Sequence, residues 1–401
     1  MRKPLKHASG TAQPITPALW KSPVRLCISQ SQTERPPRLS FNHPEKQTPG
    51  VHPMFLEKVL GKAEGGRCLV AGIGGGGDIL ATVPTANLLK HAGWEVFFGT
   101  VPWERFVVDS EPGPRPLKEM ENIYPLSETV ALAGKKTKSR KGVVFQAARF
   151  AEATGEKVLL LDLTLGVEGL CTGLKEALKK LGVNLVFGID SGGDVLAKGS
   201  EKGLRSPLAD AMMLSALAQL GGSPVIGVFG FGSDGELSGG QILSRLSEVA
   251  RAGGYLGAWG MTAEDVKLME KISQMVFTEA SNIPLMAARG FRGLTRIREG
   301  TRKVHVSILS TLTFYLDAKT LFSLSPLAQR IQGSKSLWEA NEALHRRGVF
   351  TELDFEAEIR RLNITSYKEW EKTRRKSRLP IRVSPKSSLG KPAGGRAKPT
   401  G

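Results

Sequence analysis

The sequence predicts an α/β protein built on a doubly wound, mostly parallel, Rossmann-like sheet. Continuous apolar runs that stop at Gly or Asp indicate strands covered on both faces, as in parallel sheets. Amphipathic stretches separate these runs, and regular alternation of strands and helices is typical of this fold class. The predicted strands are residues 68–74, 94–98, 157–164, 184–190 and 224–230.

The helices predicted between these strands have recognisable ends. Residues 79–91 form a predicted helix that ends at Gly93, a residue suited to the helix C-terminus. Residues 208–220 form another. Thr262 is the predicted N-cap of a helix over 262–275, because acidic residues fill the first turn after it. Two further amphipathic helices are predicted after the sheet, at 338–345 and 353–362.

Charge and composition divide the 401 residues into four predicted parts. Residues 1–53 hold eight basic and two acidic residues, and residues 372–401 hold ten basic residues and no acidic one. Both segments are rich in Pro, Ser and Gly, so we expect a disordered basic extension and a disordered basic tail. Residues 54–330 are the predicted ligand-binding α/β domain, and residues 331–371 a structural helical appendage.

The charge of the predicted folded body argues against several classes of protein. The body carries 38 basic and 36 acidic residues, so we expect it to make no specific contact with nucleic acid. No uncharged apolar run approaches the roughly 18 residues that span a bilayer. Three cysteines without a CxxC pair exclude a disulfide framework and a zinc ribbon, and favour a reducing, cytoplasmic location.

The first predicted strand leads into a glycine-rich turn that suits an anion. The run from Gly72 to Asp78 satisfies the G-x-G-x-x-G spacing between a strand and a helix, where free N–H groups face a ligand. A dinucleotide site also needs an acid at the end of the second strand, and that strand ends at Thr100 without one. We therefore expect a phosphate or carboxylate rather than NAD. The amides predicted to hold it are those of Gly74, Gly75, Gly76 and Gly77.

Acidic residues follow several predicted strands and should meet at one edge of the sheet. Ligands of such sheets bind outside the carboxyl ends of the strands, where the strand order reverses. Clustered carboxylates repel each other, so one of them gains a raised pKa or the group binds a cation, for which oxygen ligands favour Mg²⁺ over zinc. Asp78 and Asp194 have the alternative role of helix N-caps. The acids of this edge are Asp78, Asp190, Asp194 and Asp234, with Asp162 and Glu236 nearby if the strands are adjacent.

These patterns assign a role to each candidate residue. Asp190, Asp194 and Asp234 are the predicted catalytic acids or bases, and Asp194 and Asp234 the predicted Mg²⁺ ligands. Arg105 or Arg205 would neutralise the charge of the substrate. The arginine-rich segment 289–302 either binds phosphate or forms a solvated basic face. The predicted ligand-binding residues are Gly74, Gly75, Gly76, Gly77, Asp78, Arg105, Gly192, Gly193, Arg205 and Glu236.

Several segments taken together resemble the domain of unknown function 1152 family of archaea and bacteria. The resemblance extends from about Met54 to about Leu362 and leaves both basic tails outside. It implies a shared fold, a shared site and a prokaryotic-type cytosolic protein, and it implies no reaction. The segments that carry it are 72–78, 102–105, 112–115, 188–194, 204–207 and 231–236.

The observations favour a small-molecule enzyme that acts on an anionic metabolite, phosphorylated or nucleotide-like, with Mg²⁺ as the cofactor to test. The chain has neither a G-x-S-x-G elbow nor a P-loop, which argues against the hydrolases and nucleotidases that depend on them. A regulatory protein that binds a nucleotide or metabolite without chemistry fits the same residues. A third hypothesis is a nucleic-acid-associated protein that acts through its basic tails.

Overall fold

A computed structural model describes residues 66–377, which form a mixed α/β structure around a nine-stranded sheet. The predicted extension 1–53 and residues 378–401 of the predicted tail lie outside the described residues. The hypothesis that the tails bind nucleic acid concerns these residues and stays a prediction. The sheet has the order β3-β4-β5-β2-β1-β6-β7-β11-β8. Its strands are β1 (Arg67–Gly72), β2 (Glu95–Thr100), β3 (Met120–Pro125), β4 (Val130–Ser139), β5 (Val158–Leu161), β6 (Leu185–Ser191), β7 (Val225–Phe229), β8 (Tyr255–Gly260) and β11 (Leu312–Asp317).

The sheet is mostly parallel, which confirms that part of the prediction. The central strands β5, β2, β1, β6 and β7 all pair in parallel. Within the sheet, β4 and β11 pair antiparallel with both of their neighbours. A separate antiparallel pair is formed by β9 (Gly293–Ile297) and β10 (Arg302–Val306).

Twelve α-helices accompany the strands in the described part of the chain. They occur between the strands and after the last of them. Those that form the core and the site are treated below. The helices are α1 (Val83–His91), α2 (Gln146–Thr154), α3 (Gly166–Leu181), α4 (Pro207–Ala218), α5 (Gly239–Arg251), α6 (Ala263–Ser273), α7 (Glu279–Ala288), α8 (Ala318–Leu324), α9 (Pro326–Arg330), α10 (Leu337–His345), α11 (Glu352–Arg361) and α12 (Tyr367–Ser377).

Two hydrophobic clusters lie on opposite faces of β1. Leu69 and Ala71 pack into the cluster that includes α3 and α4, whereas Cys68 and Val70 pack into the cluster that includes α1 and α2. Because successive side chains of a strand point to opposite faces, both faces of the central sheet are covered. The continuous apolar runs of the sequence follow from this double burial.

The predicted helix 79–91 begins differently from the prediction. A 3₁₀ helix runs from Gly76 to Thr82, and α1 follows it from Val83. Pro84 lies in the first turn of α1 and has no N–H to donate to the preceding turn, which accounts for the change of helix type at this point. The cap predicted at Thr262 is confirmed, since its side chain accepts a hydrogen bond from the N–H of Asp265.

The predicted appendage packs directly onto the sheet domain through α11. The carboxylate of Glu352 accepts hydrogen bonds from Leu208 N at 3.0 Å and Ala209 N at 2.8 Å. These N–H groups lie in the first turn of α4, where a helix has no backbone acceptors of its own. Glu352 therefore caps α4 from a distant part of the sequence. Helix α12 continues to Ser377, so helical structure extends beyond the predicted boundary at residue 371.

The described helices were compared with the length and apolar character of a membrane span. None of the helices within residues 66–377 combines the length and the apolar character that crossing a bilayer requires.

Candidate functional site

Three glycine-rich turns lie at adjoining strand ends, as predicted. They follow β1, β6 and β7, which are neighbours in the sheet and run in the same direction. The turn after β6 and the turn after β7 are joined by backbone hydrogen bonds, because Gly192 N donates to Phe229 O at 2.9 Å and Gly232 N to Gly192 O at 2.7 Å. The acids that follow these strands are therefore brought to a single edge.

The first turn uses two of its four predicted amides within the protein. Gly74 N donates to Asp78 Oδ2 at 2.9 Å, and Gly76 N donates to the carbonyl of Trp103 at 2.9 Å. The N–H groups of Gly75 and Gly77 donate no hydrogen bond to the described part of the chain. Two of the four amides thus have no hydrogen-bond acceptor in the described chain.

The N-cap alternative for two aspartates is wrong. Gly75 is the N-cap of the 3₁₀ helix that contains Asp78, and Gly193 is the N-cap of the short 3₁₀ helix Asp194–Leu196. Asp78 instead reaches back to the amide of Gly74, so its carboxylate stays at the glycine turn.

The turn after β6 requires glycine because an aspartate packs against it. A Cβ placed on Gly192 would lie 2.3 Å from Cγ of Asp234, and Gly192 has a φ of 136°. Both the absence of a side chain and the positive φ are needed here. Gly192 and Gly193 thus bring the second and third turns together, and neither residue lines the cavity described below.

Buried carboxylates converge behind the glycine turns in two groups of three. Within each group, one oxygen of every side chain lies within 4.8 Å of the others. Asp194 belongs to both groups, so the predicted residues do come together. The first group is Asp190, Asp194 and Asp210, and the second is Asp194, Asp234 and Glu236.

Burial raises the pKa of most of these carboxyl groups. Desolvation, followed by the negative charge of neighbouring acids, raises the pKa values of Asp190, Asp194 and Asp210 well above the ordinary range. Burial and the charge of Glu236 raise the pKa of Asp234 to about 7. The cluster therefore holds protons near neutral pH or needs a cation to ionise.

Glu236 differs from the other members because its charge is compensated. Its oxygens accept hydrogen bonds from Ser206 Oγ at 2.6 Å, Arg302 Nη1 at 2.9 Å and the backbone N–H of Arg205 at 2.6 Å. Burial raises the pKa of Glu236, but Arg302 and these hydrogen bonds outweigh it and lower the pKa below its usual value. Glu236 is thus an ionised structural partner of Arg302.

A cavity of about 310 Å³ lies on the outer side of the first glycine turn. Of the predicted ligand-binding residues, its lining includes the turn glycines, Asp78 and Arg105. Asp190, Asp194 and Asp234 do not line it. They lie behind its wall, where Ser206 lines the cavity and its Oγ lies 3.3 Å from Asp194 Oδ2. The turn glycines of the lining are Gly74, Gly75, Gly76 and Gly77.

Two arginines contribute positive charge to the cavity lining. Arg105 lies close enough to Asp78 to lower its pKa, although burial dominates and raises the pKa of Asp78 to about 6. Arg298 is buried and pairs with Glu279 at 2.8 Å. Arg205 is not part of the lining, and its guanidinium donates to the carbonyls of Lys202 and Leu204.

The arginine-rich segment has both exposed and inward-pointing side chains, and its predicted binding of phosphate stays a prediction. Arg289, Arg292 and Arg296 are exposed, as in a solvated basic face. Arg298 and Arg302 instead point into the protein, toward the cavity and toward Glu236.

Further acids of the cavity were not predicted from the sequence. Burial raises the pKa of Glu104 to about 7, of Glu356 to about 7 and of Glu352 to about 8, and all three line the cavity. The positions of Glu352 and Glu356 depend on how α11 packs, which no local pattern indicates, and the carboxylate of Glu104 is held by the N–H of Gln146 at 2.7 Å. Asp210 had a recognisable signal, because it lies in α4, a helix that is apolar on every side.

Asp162 lies apart from the carboxylate cluster. Its strand, β5, is separated from β6 by two other strands. Its carboxylate accepts hydrogen bonds from Leu117 N at 2.9 Å and from both N and Oγ1 of Thr164, which makes it a turn-stabilising residue.

The comparisons with known proteins give one match. A family model described as "Protein of unknown function (DUF1152)" matches residues 69–360. This confirms the resemblance predicted from the six sequence segments. No curated protein and no solved structure matches the chain.

Proposed function

Because the chain belongs to the DUF1152 family of proteins of unknown function, whose description states no reaction, we propose a function from the site itself. The chain acts as a small-molecule enzyme that binds an anionic metabolite, phosphorylated or nucleotide-like, in the cavity beside the first glycine turn. The observation that carries the proposal is the pairing of two uncommitted turn amides with an arginine on the lining of one cavity.

The anion-binding part rests on donor groups of residues that line the cavity. The N–H groups of Gly75 and Gly77 lack partners in the described chain, and Arg105 supplies a cation on the same lining. Backbone amides at the start of a helix and a guanidinium are the groups that hold phosphates in proteins. Arg205 stays a predicted contact, because backbone carbonyls occupy its guanidinium.

The catalytic part rests on carboxyl groups that titrate near neutral pH. A general acid or base works best when its pKa lies close to the working pH. Glu104 meets this condition, with a pKa of about 7, and it lies beside the turn, since a Cβ on Gly76 would come within 2.5 Å of its Oε1. Asp190, Asp194 and Asp234 do not line the cavity, so a part for them in the chemistry stays a prediction, as does a Mg²⁺ ion held by Asp194 and Asp234.

The strand order supports a ligand at this edge. Numbered in chain order, the five central parallel strands have the sequence 3-2-1-4-5 across the sheet, the order of a doubly wound Rossmann-like arrangement. The order reverses between β1 and β6, and the first glycine turn follows β1 at that point. We extend the Rossmann-like assignment to this chain on that basis.

The test is a thermal-shift series with inorganic phosphate, ribose 5-phosphate and AMP. We expect at least one of them to stabilise the wild-type protein, and we expect Gly75→Ala and Arg105→Gln to weaken that effect. A methyl group on Gly75 would contact only Trp103 O, at 3.5 Å, so this variant should fold normally. Gly134→Ala is the matched control, because nothing lies within 4 Å of the added methyl group.

Turnover separates an enzyme from a regulatory protein. Product formation from the stabilising compound is measured by mass spectrometry in the wild type and in Glu104→Gln. We expect the variant to bind the compound and to lose turnover. Equal stabilisation of the wild type and Gly75→Ala by every compound would contradict the binding proposal, and binding without turnover in the wild type would contradict the catalytic one.

A further inference from the structure

Three carboxylates behind the first glycine turn form a compact group of oxygen ligands. Asp190 is the next-to-last residue of β6, Asp194 begins the short helix after it, and Asp210 lies in the first turn of α4. Their side chains are 0%, 7% and 1% exposed, and one oxygen of each lies within 4.8 Å of the others. Three separate elements thus direct carboxylates at one point of the interior.

Two of these side chains have an oxygen with no partner. Asp190 Oδ1 and Asp210 Oδ1 are buried and accept no hydrogen bond from the described chain. A buried polar atom left without a partner lowers the stability of the folded state, and more so if it is charged. No donor of the described chain therefore stabilises a negative charge on these two oxygens.

The neighbouring arginines do not compensate this charge. Arg302 pairs with Glu236, and Arg298 pairs with Glu279. Within residues 66–377, no ion pair involves Asp190, Asp194 or Asp210. Either protons or a bound cation must balance the buried carboxylates.

The second carboxylate group is less suited to a cation. Its member Glu236 already accepts hydrogen bonds at both oxygens, from Ser206 and Arg302 at Oε1 and from backbone N–H groups at Oε2. A metal ion there would have to displace Arg302. The first group needs no such displacement.

We infer that Asp190, Asp194 and Asp210 bind a divalent cation of the Mg²⁺ type. All-oxygen ligation by carboxylates selects Mg²⁺, Mn²⁺ or Ca²⁺ over zinc. Asp194 keeps the role predicted from the sequence, and Asp210 is the ligand that the structure adds.

The cation would lie directly behind the proposed anion site. A Cβ on Gly74 would come within 2.9 Å of Asp210 Oδ2 and 2.7 Å of Asp78 Oδ2. The positive charge would offset the carboxylates under the turn and so favour an anion in the cavity. This effect on the ligand rests on the proposed function, whereas cation binding itself does not.

The test measures cation binding to the full chain without any organic ligand. Protein freed of metal with EDTA is titrated with MnCl₂ and followed by electron paramagnetic resonance, and its melting temperature is recorded with and without MgCl₂. We expect the wild type to bind a single Mn²⁺ per chain and to melt at a higher temperature in MgCl₂. Asp210→Asn should bind Mn²⁺ at least roughly tenfold more weakly and lose the response to MgCl₂.

Asp162→Asn is the matched control, because Asp162 is a buried aspartate after another strand and lies outside the cluster. Its Mn²⁺ affinity should equal that of the wild type. In EDTA, Asp210→Asn should melt no lower than the wild type, since it removes a like charge from the group, and this shows that the variant folds. If Asp210→Asn unfolds, Asp190→Asn takes its place in the test and should show the same loss of Mn²⁺ binding.

Two results would overturn the inference: no Mn²⁺ binding by the wild type, or unchanged Mn²⁺ binding by both Asp210→Asn and Asp190→Asn. Neither result depends on phosphate or AMP binding. The proposal of a cation site and the proposal of an anion site are therefore tested separately.

Discussion

Glu356 gives the sharpest prediction about pH and stability. Its Oε2 accepts hydrogen bonds from Trp103 Nε1 and Gly113 N, both at 2.8 Å, in a buried position on α11. Burial raises its pKa from 4.5 to about 7. A glutamine at this position keeps an oxygen acceptor for both donors and cannot ionise.

The direction in which pH changes the stability follows from where Glu356 binds its proton more tightly. The folded protein holds the proton on Glu356 more tightly than the unfolded chain does, so this contribution to stability is present below pH 4.5 and is lost as the pH rises through about 7. The shift corresponds to roughly 3 kcal/mol. Relative to the wild type, Glu356→Gln should therefore gain about that free energy of unfolding between pH 4 and pH 9.

The assay is urea unfolding of both proteins at one-unit steps of pH. Taking the difference between the two cancels the titration of every other shared group. Glu121→Gln is the control for the removal of a glutamate, because the side chain of Glu121 is 45% exposed. Parallel curves for the wild type and Glu356→Gln would show that Glu356 ionises without cost and would refute the reasoning.

Three further predictions concern the scaffold. Leu159→Ala removes a fully buried side chain of β5 and should lower the free energy of unfolding by about 2–5 kcal/mol, measured in urea. Thr262→Ala removes the cap of α6 and should cost about 1 kcal/mol in the same assay. In Cys27→Ser, the buried thiols Cys68 and Cys171 should react with a disulfide reagent only on unfolding, because burial raises the pKa of Cys68 to about 12. A smaller loss of unfolding free energy would contradict the burial of Leu159 or the cap at Thr262. Rapid labelling of the native protein would contradict the burial of the two thiols.

The sequence was most informative where one physical rule applied along a whole strand. Double burial gives continuous apolar runs, and these predicted the five central parallel strands. Parallel strands place their carboxyl ends together, and this predicted that Asp190, Asp194 and Asp234 would meet. The cap at Thr262 was also predictable, because a cap depends on residues only three positions apart.

The sequence was least informative where contacts join distant segments. Glu352 and Glu356 belong to a charged helix whose pattern is that of a surface helix, yet both carboxylates are buried in the cavity wall. Nothing near them in the sequence identifies Leu208 N or Trp103 Nε1 as their partners. The role of Asp78 could not be predicted either, although its partner is close in the sequence. An aspartate can cap a helix or accept a hydrogen bond from a preceding amide, and the structure shows the second, with Gly74 N as the donor.

The hydrogen bond between Trp103 and Glu356 spans 253 residues, and this has a consequence for biosynthesis. The strands that carry the glycine turns leave the ribosome long before α11 is made. Until then, the first turn of α4 and the indole of Trp103 have no carboxylate to accept their hydrogen bonds. The cavity is thus completed only near the end of translation, because a chain interrupted before α11 lacks Glu352 and Glu356 of its lining.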